Sequence, residues 1–312
     1  MKENENTEVK EQKSSFDLKS FLLDIPKGFC MGVAFIIPGF SGGSVAAILG
    51  IYEKLVGSIA DIFKSFKKSV ITLLPIFIGL ILGAVSLLYP LGWALSAYPL
   101  PTVCLFVGLA IGGMPSITYK IKGRPNFKNI VALTVPLLFA LLLSFLPTGA
   151  DVNLFELNFG GYLLLFIIGI VGSAALVVPG ISGSMLLLIL GYYNPIIKLM
   201  TEHLFKGKDI LTSLLVLGSC GAGIAFGFIL ISVIMKWLLE KCPKGTYFAI
   251  VGFIVGSIPT VFISTAKDVG MTLSTLPTSP LHWIACAVLL ALGFTGAFIF
   301  VKQVKKLAAK AE

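Results

Sequence analysis

Long apolar runs alternate with short polar segments along almost the whole chain. Charged residues are absent from 28–52, 69–119, 129–150, 157–197, 210–235 and 245–266. A run of about 17–25 apolar residues is long enough to cross a bilayer as a helix. Segments of this length predict membrane spans at 70–89, 101–117, 130–146, 210–235, 246–262 and 282–301. The pattern therefore predicts an all-α polytopic membrane protein.

Two further apolar segments, 29–57 and 160–199, are each interrupted by nearly the same short motif. The first copy reads Pro38, Gly39, Phe40, Ser41, Gly42, Gly43, Ser44, and the second reads Pro179, Gly180, Ile181, Ser182, Gly183, Ser184. Proline and glycine interrupt helices, and a broken backbone at membrane depth must be covered by protein or line a watery cavity. Each segment therefore predicts a re-entrant helical hairpin.

The two motifs belong to a repeat that covers most of the chain. They lie 141 positions apart (179 − 38), and an offset of 144 carries Gly79 and Gly83 onto Gly223 and Gly227. Each half, 16–150 and 151–302, reads as one hairpin followed by three spans, between a disordered N-terminus at 1–15 and a basic tail at 303–312. Three is an odd number, so the second half should enter the membrane from the opposite face, as in the inverted repeats of transporters. The spaced glycines predict close helix packing.

The distribution of charged residues predicts the orientation of the protein in the membrane. The formal net charge is +9, and 12% of residues are charged against 56% hydrophobic. The cations gather in alternate loops and in the tail, among them Lys64, Lys120 and Lys302. The positive-inside rule then places both termini in the cytoplasm and explains the positive charge without a nucleic-acid partner. The five cysteines and two histidines are scattered, so we expect no metal site, and no ATP-binding motif or cofactor motif is present.

The first motif and its surroundings resemble the signature of the bacterial PopT family. The residues that carry the resemblance are Lys27, Gly28, Gly32, Pro38, Gly39, Ser41, Gly42, Gly43, Ser44, Gly50, Ile51, Tyr52, Glu53 and Lys54, with Gly191, Tyr192 and Tyr193 in the second copy. The resemblance implies a multi-pass protein of the bacterial cytoplasmic membrane. It also implies that the protein returns undecaprenyl phosphate, the lipid carrier of wall-polymer synthesis, from the outer to the inner leaflet. The second copy has Ser184 for Gly43 and Asn194 for Glu53, so the halves need not contribute equally.

A lipid phosphate needs partners inside the membrane, because an unpaired charge there is very costly. Half-helix N-termini offer free N–H groups, glycines allow close approach, and serines add hydroxyl donors. The predicted phosphate site is Pro38, Gly39, Ser41, Gly42, Gly43, Ser44, Pro179, Gly180, Ser182, Gly183 and Ser184. Candidate gating or head-group contacts are Lys27, Tyr52, Glu53, Tyr193 and Asn194. The serines are alternatively simple helix caps, the charged residues interfacial ion pairs, and the tyrosines membrane-belt residues.

Two other functions compete with lipid transport. Polyprenyl-pyrophosphate phosphatases share re-entrant helices and a related motif, but theirs resembles PGxSRS, whereas Gly42 and Gly183 stand here at the arginine position. The single arginine, Arg124, lies in a loop, and no carboxylate lies inside an apolar run. A phosphatase therefore lacks its chemistry. A carrier of small anions or other solutes would use the same half-helix arrangement and stays open, as does a homo-oligomeric assembly.

Overall fold

The computed structural model describes residues 18–36, 41–121, 123–146, 149, 152–179, 183–199, 209–268, 270 and 279–308. Within these ranges no strand occurs, and twelve α-helices follow one another. The first half holds α1 (Leu18–Ile36), α2 (Gly42–Ile48), α3 (Tyr52–Ala60), α4 (Phe66–Ala97), α5 (Pro99–Thr118) and α6 (Phe127–Leu143). The second half holds α7 (Phe159–Val177), α8 (Gly183–Ile189), α9 (Tyr193–Lys198), α10 (Ile210–Lys241), α11 (Pro243–Asp268) and α12 (Pro280–Ala308). The predicted disordered segment 1–15 lies outside the described residues.

Five of the described helices are long and apolar enough to cross a membrane. These candidate spans are Phe66–Ser86, Pro99–Thr118, Ile210–Lys241, Pro243–Ala266 and Pro280–Gln303. They coincide with five of the six predicted spans, and the predicted class of polytopic membrane protein is confirmed. The sixth predicted span, 130–146, corresponds to α6, which has 17 residues and is about 25 Å long. That length lies just below the hydrocarbon thickness of about 30 Å.

The first arm of the predicted hairpin is longer than the sequence indicated. The prediction started the arm at residue 29, but α1 is one continuous helix of 19 residues that begins at Leu18 and contains Pro26. Its length is about 28 Å, twice the length of about 14 Å that the nine predicted residues 29–37 would have. The physical reason is packing: α1 lies along α4, which supports helical structure through the polar residues that precede the apolar run.

Glycines bring α1 and α4 into backbone contact. A Cβ atom added to Gly28 would lie 2.1 Å from the carbonyl oxygen of Ile76, and one added to Gly79 would lie 2.0 Å from that of Ile25. No side chain fits at such distances, so only glycine permits this separation of the two helices. The prediction that Gly79 serves helix packing is confirmed.

The two halves contain the same helices in the same order. Helices α7 and α8 begin and end 141 positions after α1 and α2 (159 − 18 and 183 − 42), and α10 begins and ends 144 positions after α4 (210 − 66). Helix α7 packs on α10 as α1 packs on α4. Across the halves, α5 packs on α12 and α6 packs on α11. The halves are therefore interlocked, because the last two helices of each half pack against the last two of the other.

Candidate functional site

The described part of the first motif, Ser41 to Ser44, lies at the start of α2 and is buried. Ser41 is the residue before the helix, with φ −115° and ψ 129°, and its carbonyl oxygen accepts the backbone N–H groups of Ser44 and Val45. The side chain of Ser41 makes no capping hydrogen bond. The Oγ atoms of Ser41 and Ser44 are buried, with 2% and 1% of these residues exposed, and neither has a hydrogen-bond partner among the described residues.

An unpartnered buried hydroxyl costs free energy on folding. Ser213, Ser232 and Thr265 are also buried without a partner among the described residues, but only Ser41 and Ser44 lie in a motif. The alternative interpretation of Ser41 as an ordinary helix cap does not account for its free Oγ. Two such hydroxyls one turn apart form a buried pair of donors at the start of α2, without a partner in the described protein. They are suited to a polar ligand.

A sharp bend follows α2. Helices α2 and α3 meet at an angle of 118°, and Gly50 in the bend has φ +72°. Gly191, 141 positions later, has φ +77° between α8 and α9. Such positive φ angles favour glycine over any residue with a Cβ atom. The two halves thus make the same turn after each motif. This turn explains why Ile48-Leu49-Gly50 recurs as Ile189-Leu190-Gly191.

The two motifs meet in space at Gly43. A Cβ atom added to Gly43 would lie 3.0 Å from the carbonyl oxygen of Val177 and 3.4 Å from the Cα of Pro179. Val177 ends α7, and Pro179 opens the second motif. The missing side chain of Gly43 thus lets α2 of the first half approach the chain that leads into the second motif.

Several predicted site residues lie outside the described residues, namely Pro38, Gly39, Gly180 and Ser182. Gly183 opens α8, and Ser184 and Asn194 are placed by backbone only, in α8 and α9. Tyr52 opens α3 and is buried, with a hydroxyl that has no partner among the described residues. Tyr193 opens α9 and is partly exposed.

Lys27 and Glu53 are held by ion pairs rather than standing free. The Nζ of Lys27 donates to Oδ1 of Asp24 at 3.1 Å, and Lys54 donates to Oδ2 of the same carboxylate. Only 2% of the Asp24 side chain is exposed. Glu53 pairs with Lys120 at 3.0 Å. The alternative interpretation, in which these residues form ion pairs, therefore describes their contacts.

This charged cluster has no counterpart in the second half. At the offset of 141, Asp24, Lys27 and Lys54 correspond to Leu165, Ile168 and Pro195. Asp24 is not among the predicted site residues. The sequence does contain one sign of the Asp24–Lys27 ion pair. The two residues are three positions apart, just before the uncharged stretch 28–52. Nothing in the sequence links Asp24 to Lys54, thirty positions away (54 − 24).

Comparisons with known proteins give the family. A family model described as undecaprenyl phosphate translocase-like, the VCA0040-like family, matches residues 31–275. A protein of Staphylococcus aureus (strain NCTC 8325 / PS 47), named polyprenyl-phosphate transporter, is 32% identical over 280 residues, which cover 87% of this chain and 93% of the relative. A Vibrio cholerae serotype O1 protein of the same name is 25% identical over 258 residues, 78% of each chain.

No solved structure matches the chain. The family model spans more than half of the chain, and the Staphylococcus aureus relative is similar over nearly its whole length. Both names are those of transporters, so a phosphatase is not the function of this family. The chain belongs to the undecaprenyl phosphate translocase-like family, a family of membrane transporters.

Proposed function

We propose that the protein is a translocase that carries a polyprenyl phosphate, undecaprenyl phosphate in the first instance, between the leaflets of the bacterial cytoplasmic membrane. The names of the family and of its two relatives support the substrate. The single observation that carries the mechanism is the approach of Gly43 to Val177 and Pro179, beside the unpartnered hydroxyls of Ser41 and Ser44. The lipid returned in this way would serve again as a carrier in cell-envelope synthesis.

In this proposal the phosphate head binds where the two motifs meet. Ser41 and Ser44 donate their hydroxyls from one half, while Gly183 and Ser184 at the start of α8, with Ser182 before it, contribute from the other half. Hydrogen bonds to a charged oxygen are stronger than neutral ones. They replace part of the hydration that the phosphate loses inside the membrane. Helix α2 has only seven residues, so hydroxyl and N–H donors matter more here than a helix dipole.

We further propose that the halves are inverted repeats. The matching helix bounds of α1 with α7, α2 with α8 and α4 with α10 support the repeat. An odd number of crossings between the halves would place the two motifs at one depth from opposite faces. With both termini in the cytoplasm, Lys19 at the start of α1, Lys120 after α5, and Lys241 at the end of α10 lie on the cytoplasmic side, in agreement with the positive-inside rule. Access to the site from each face in turn would then move the head across.

The serine hydroxyls give a direct test. In purified protein, Ser41→Ala and Ser44→Ala should each weaken binding of undecaprenyl phosphate by about 5- to 30-fold, the effect of losing one hydrogen bond to a charged group. Thermal stability should not fall, because neither Oγ has a partner within the described protein. Binding can be followed by intrinsic fluorescence, with geranyl phosphate and inorganic phosphate as competitors.

A matched control is available on α10. Ser232 is also fully buried with an unpartnered Oγ, at a distance in sequence from both motifs. Ser232→Ala should leave the affinity unchanged. If Ser41→Ala, Ser44→Ala and Ser232→Ala all bound the lipid with equal affinity, the two serines of the motif would not be part of the binding site. Competition by inorganic phosphate as strong as by geranyl phosphate would identify a small-anion carrier instead of a lipid transporter.

A further inference from the structure

An apolar groove lies between two helix pairs of the molecule. Helix α1 packs on α4, and α12 packs on α5. Between these pairs, a cavity of about 740 Å³ adjoins the end of α4 and the starts of α5 and α12. A second cavity of about 290 Å³ lies between α1, α2, α5 and α12. Val33 and Phe106 line both cavities, so the two adjoin, and we call them together the α1–α12 groove.

The groove is as long as the hydrocarbon core is thick. Helix α12 lines it from Leu281 in the first cavity to Val301 in the second. The twenty steps along the helix from Leu281 to Val301 (301 − 281) rise about 30 Å, the thickness of a bilayer's hydrocarbon region. A compact solute would fill only part of such a groove, whereas a long linear chain matches its shape.

The polar groups of the groove stand at its ends. Thr102, Ser279 and His282 line the end near the start of α12. The Nε2 of His282 is buried there without a hydrogen-bond partner among the described residues. At the other end, Lys27 lies two helical turns before the groove-lining Ala34 and on the same face of α1. Between these ends the walls are apolar side chains and glycine.

We propose that the α1–α12 groove holds the isoprenoid chain of the lipid while its phosphate head crosses the membrane; the proposal rests on the function proposed above. The distribution of polarity fits an amphiphile with one anionic head, since a chain without hydrogen-bonding groups matches an apolar wall. Val45, Ile48 and Leu49 of α2 line the groove, so the chain would lie beside the helix that carries Ser44. The groove thus connects the proposed head site to the chain it must accommodate.

Gly296 offers a probe that fills the groove without displacing backbone. It lines the second cavity, and a Cβ atom added there would meet no atom within 4 Å. Gly221 on α10 is a matched control, because it is exposed and equally free of neighbours within 4 Å. Gly296→Phe and Gly221→Phe therefore introduce the same side chain into a helix, one inside the groove and one outside it.

The experiment compares two lipids that share a phosphate head. Gly296→Phe should weaken binding of undecaprenyl phosphate by about tenfold or more, because the ring occupies space that the chain would fill. Its affinity for geranyl phosphate, which has a much shorter chain, should stay within about twofold of the unmodified protein. Gly221→Phe should change neither affinity. Thermal stability of both variants shows whether the fold is kept.

The outcomes separate this proposal from the one on which it rests. If the unmodified protein and Gly296→Phe bind undecaprenyl phosphate equally, the chain does not lie in the groove, but the transport proposal stands. If Gly296→Phe loses both lipids to the same extent, the substitution acts on the head site, and the groove proposal is again overturned. If the unmodified protein binds neither lipid, both proposals fall.

Discussion

At the scale of single residues, the buried hydroxyls divide into two kinds. Some have partners: Thr102 donates to the carbonyl oxygens of Ala94 and Tyr98, and Thr246, 144 positions later, donates to those of Leu238 and Cys242. Others, such as Ser213, Ser232 and Thr265, have no partner among the described residues. Ser41 and Ser44 have none among the described residues. The sequence predicted a special role for these serines from the motif alone. It could not distinguish a cap from a free hydroxyl, because that difference depends on the neighbours of the oxygen.

A second feature at this scale is the buried carboxylate of Asp24, which forms ion pairs with both Lys27 and Lys54. Breaking a buried ion pair by removing one partner is strongly destabilising, by about 3–5 kcal/mol, because the remaining charge loses its compensation. Here two ammonium groups would lose it, although Lys54 is 37% exposed and can turn partly to solvent. The cluster thus joins α1 to α3 and should stabilise the fold by more free energy than a surface ion pair does.

We expect Asp24→Asn to lower the thermal stability of the purified protein clearly more than Asp61→Asn. Asp61 also pairs with a lysine, Lys236, but both side chains are about one third exposed and Lys236 has Glu240 as a second partner at 4.0 Å. The loss there should be at most about 1 kcal/mol. Melting curves followed by tryptophan fluorescence compare the two variants. Equal melting temperatures would show that the Asp24 cluster contributes no more than a surface ion pair.

At the scale of helices, the sequence predicted most elements and misjudged their ends. Predicted spans 70–89 and 210–235 lie inside α4 and α10, which each continue to 32 residues. Hydropathy finds the part of a helix that lies in the membrane, but a helix continues into polar residues where it has packing partners. The same reason explains the early start of α1. The sequence predicted a break at the motif, Pro38 to Ser44, but not the bend of 118° that follows α2.

The glycine contacts make an element-scale prediction for both halves. Gly79→Ala places a Cβ atom 2.0 Å from the carbonyl oxygen of Ile25, and Gly223→Ala places one 2.0 Å from that of Phe166. Each helix pair must then separate, which should cost about 1–3 kcal/mol of stability, as for other overpacked positions. Melting temperature measures the loss, and the two variants should fall by similar amounts because the contacts are equivalent.

Gly57→Ala and Gly218→Ala are the controls for these variants. Both glycines are helical and have no atom within 4 Å of an added Cβ. Alanine should stabilise slightly at both positions, by about 0.5–1 kcal/mol, since it restricts the unfolded chain. If Gly79→Ala were as stable as Gly57→Ala, the close approach of α1 and α4 would be wrong.

At the scale of the whole molecule, the two halves repeat the same helix packing but differ in their charged residues. The pairs α1–α4 and α7–α10, and the pairs α5–α12 and α6–α11, repeat the same packing. The repeat itself was visible in the sequence, but the exchange of partners between the halves was not, since it depends on contacts rather than on period. The Asp24 cluster is asymmetric, because Leu165, Ile168 and Pro195 stand at the corresponding positions of the second half.

Transbilayer movement of the lipid itself tests the central claim most directly. Proteoliposomes holding the purified protein and a polyprenyl phosphate with a quenchable fluorescent chain end should show complete quenching by an impermeant reagent, while protein-free vesicles retain the inner-leaflet fraction. The double variant Ser41→Ala/Ser44→Ala, reconstituted in equal amount, should slow the second phase of quenching by about 100-fold, the product of two losses of about tenfold each. If quenching in vesicles with the unmodified protein were no faster than in protein-free vesicles, transport would be contradicted. Equal rates for the double variant would contradict the site.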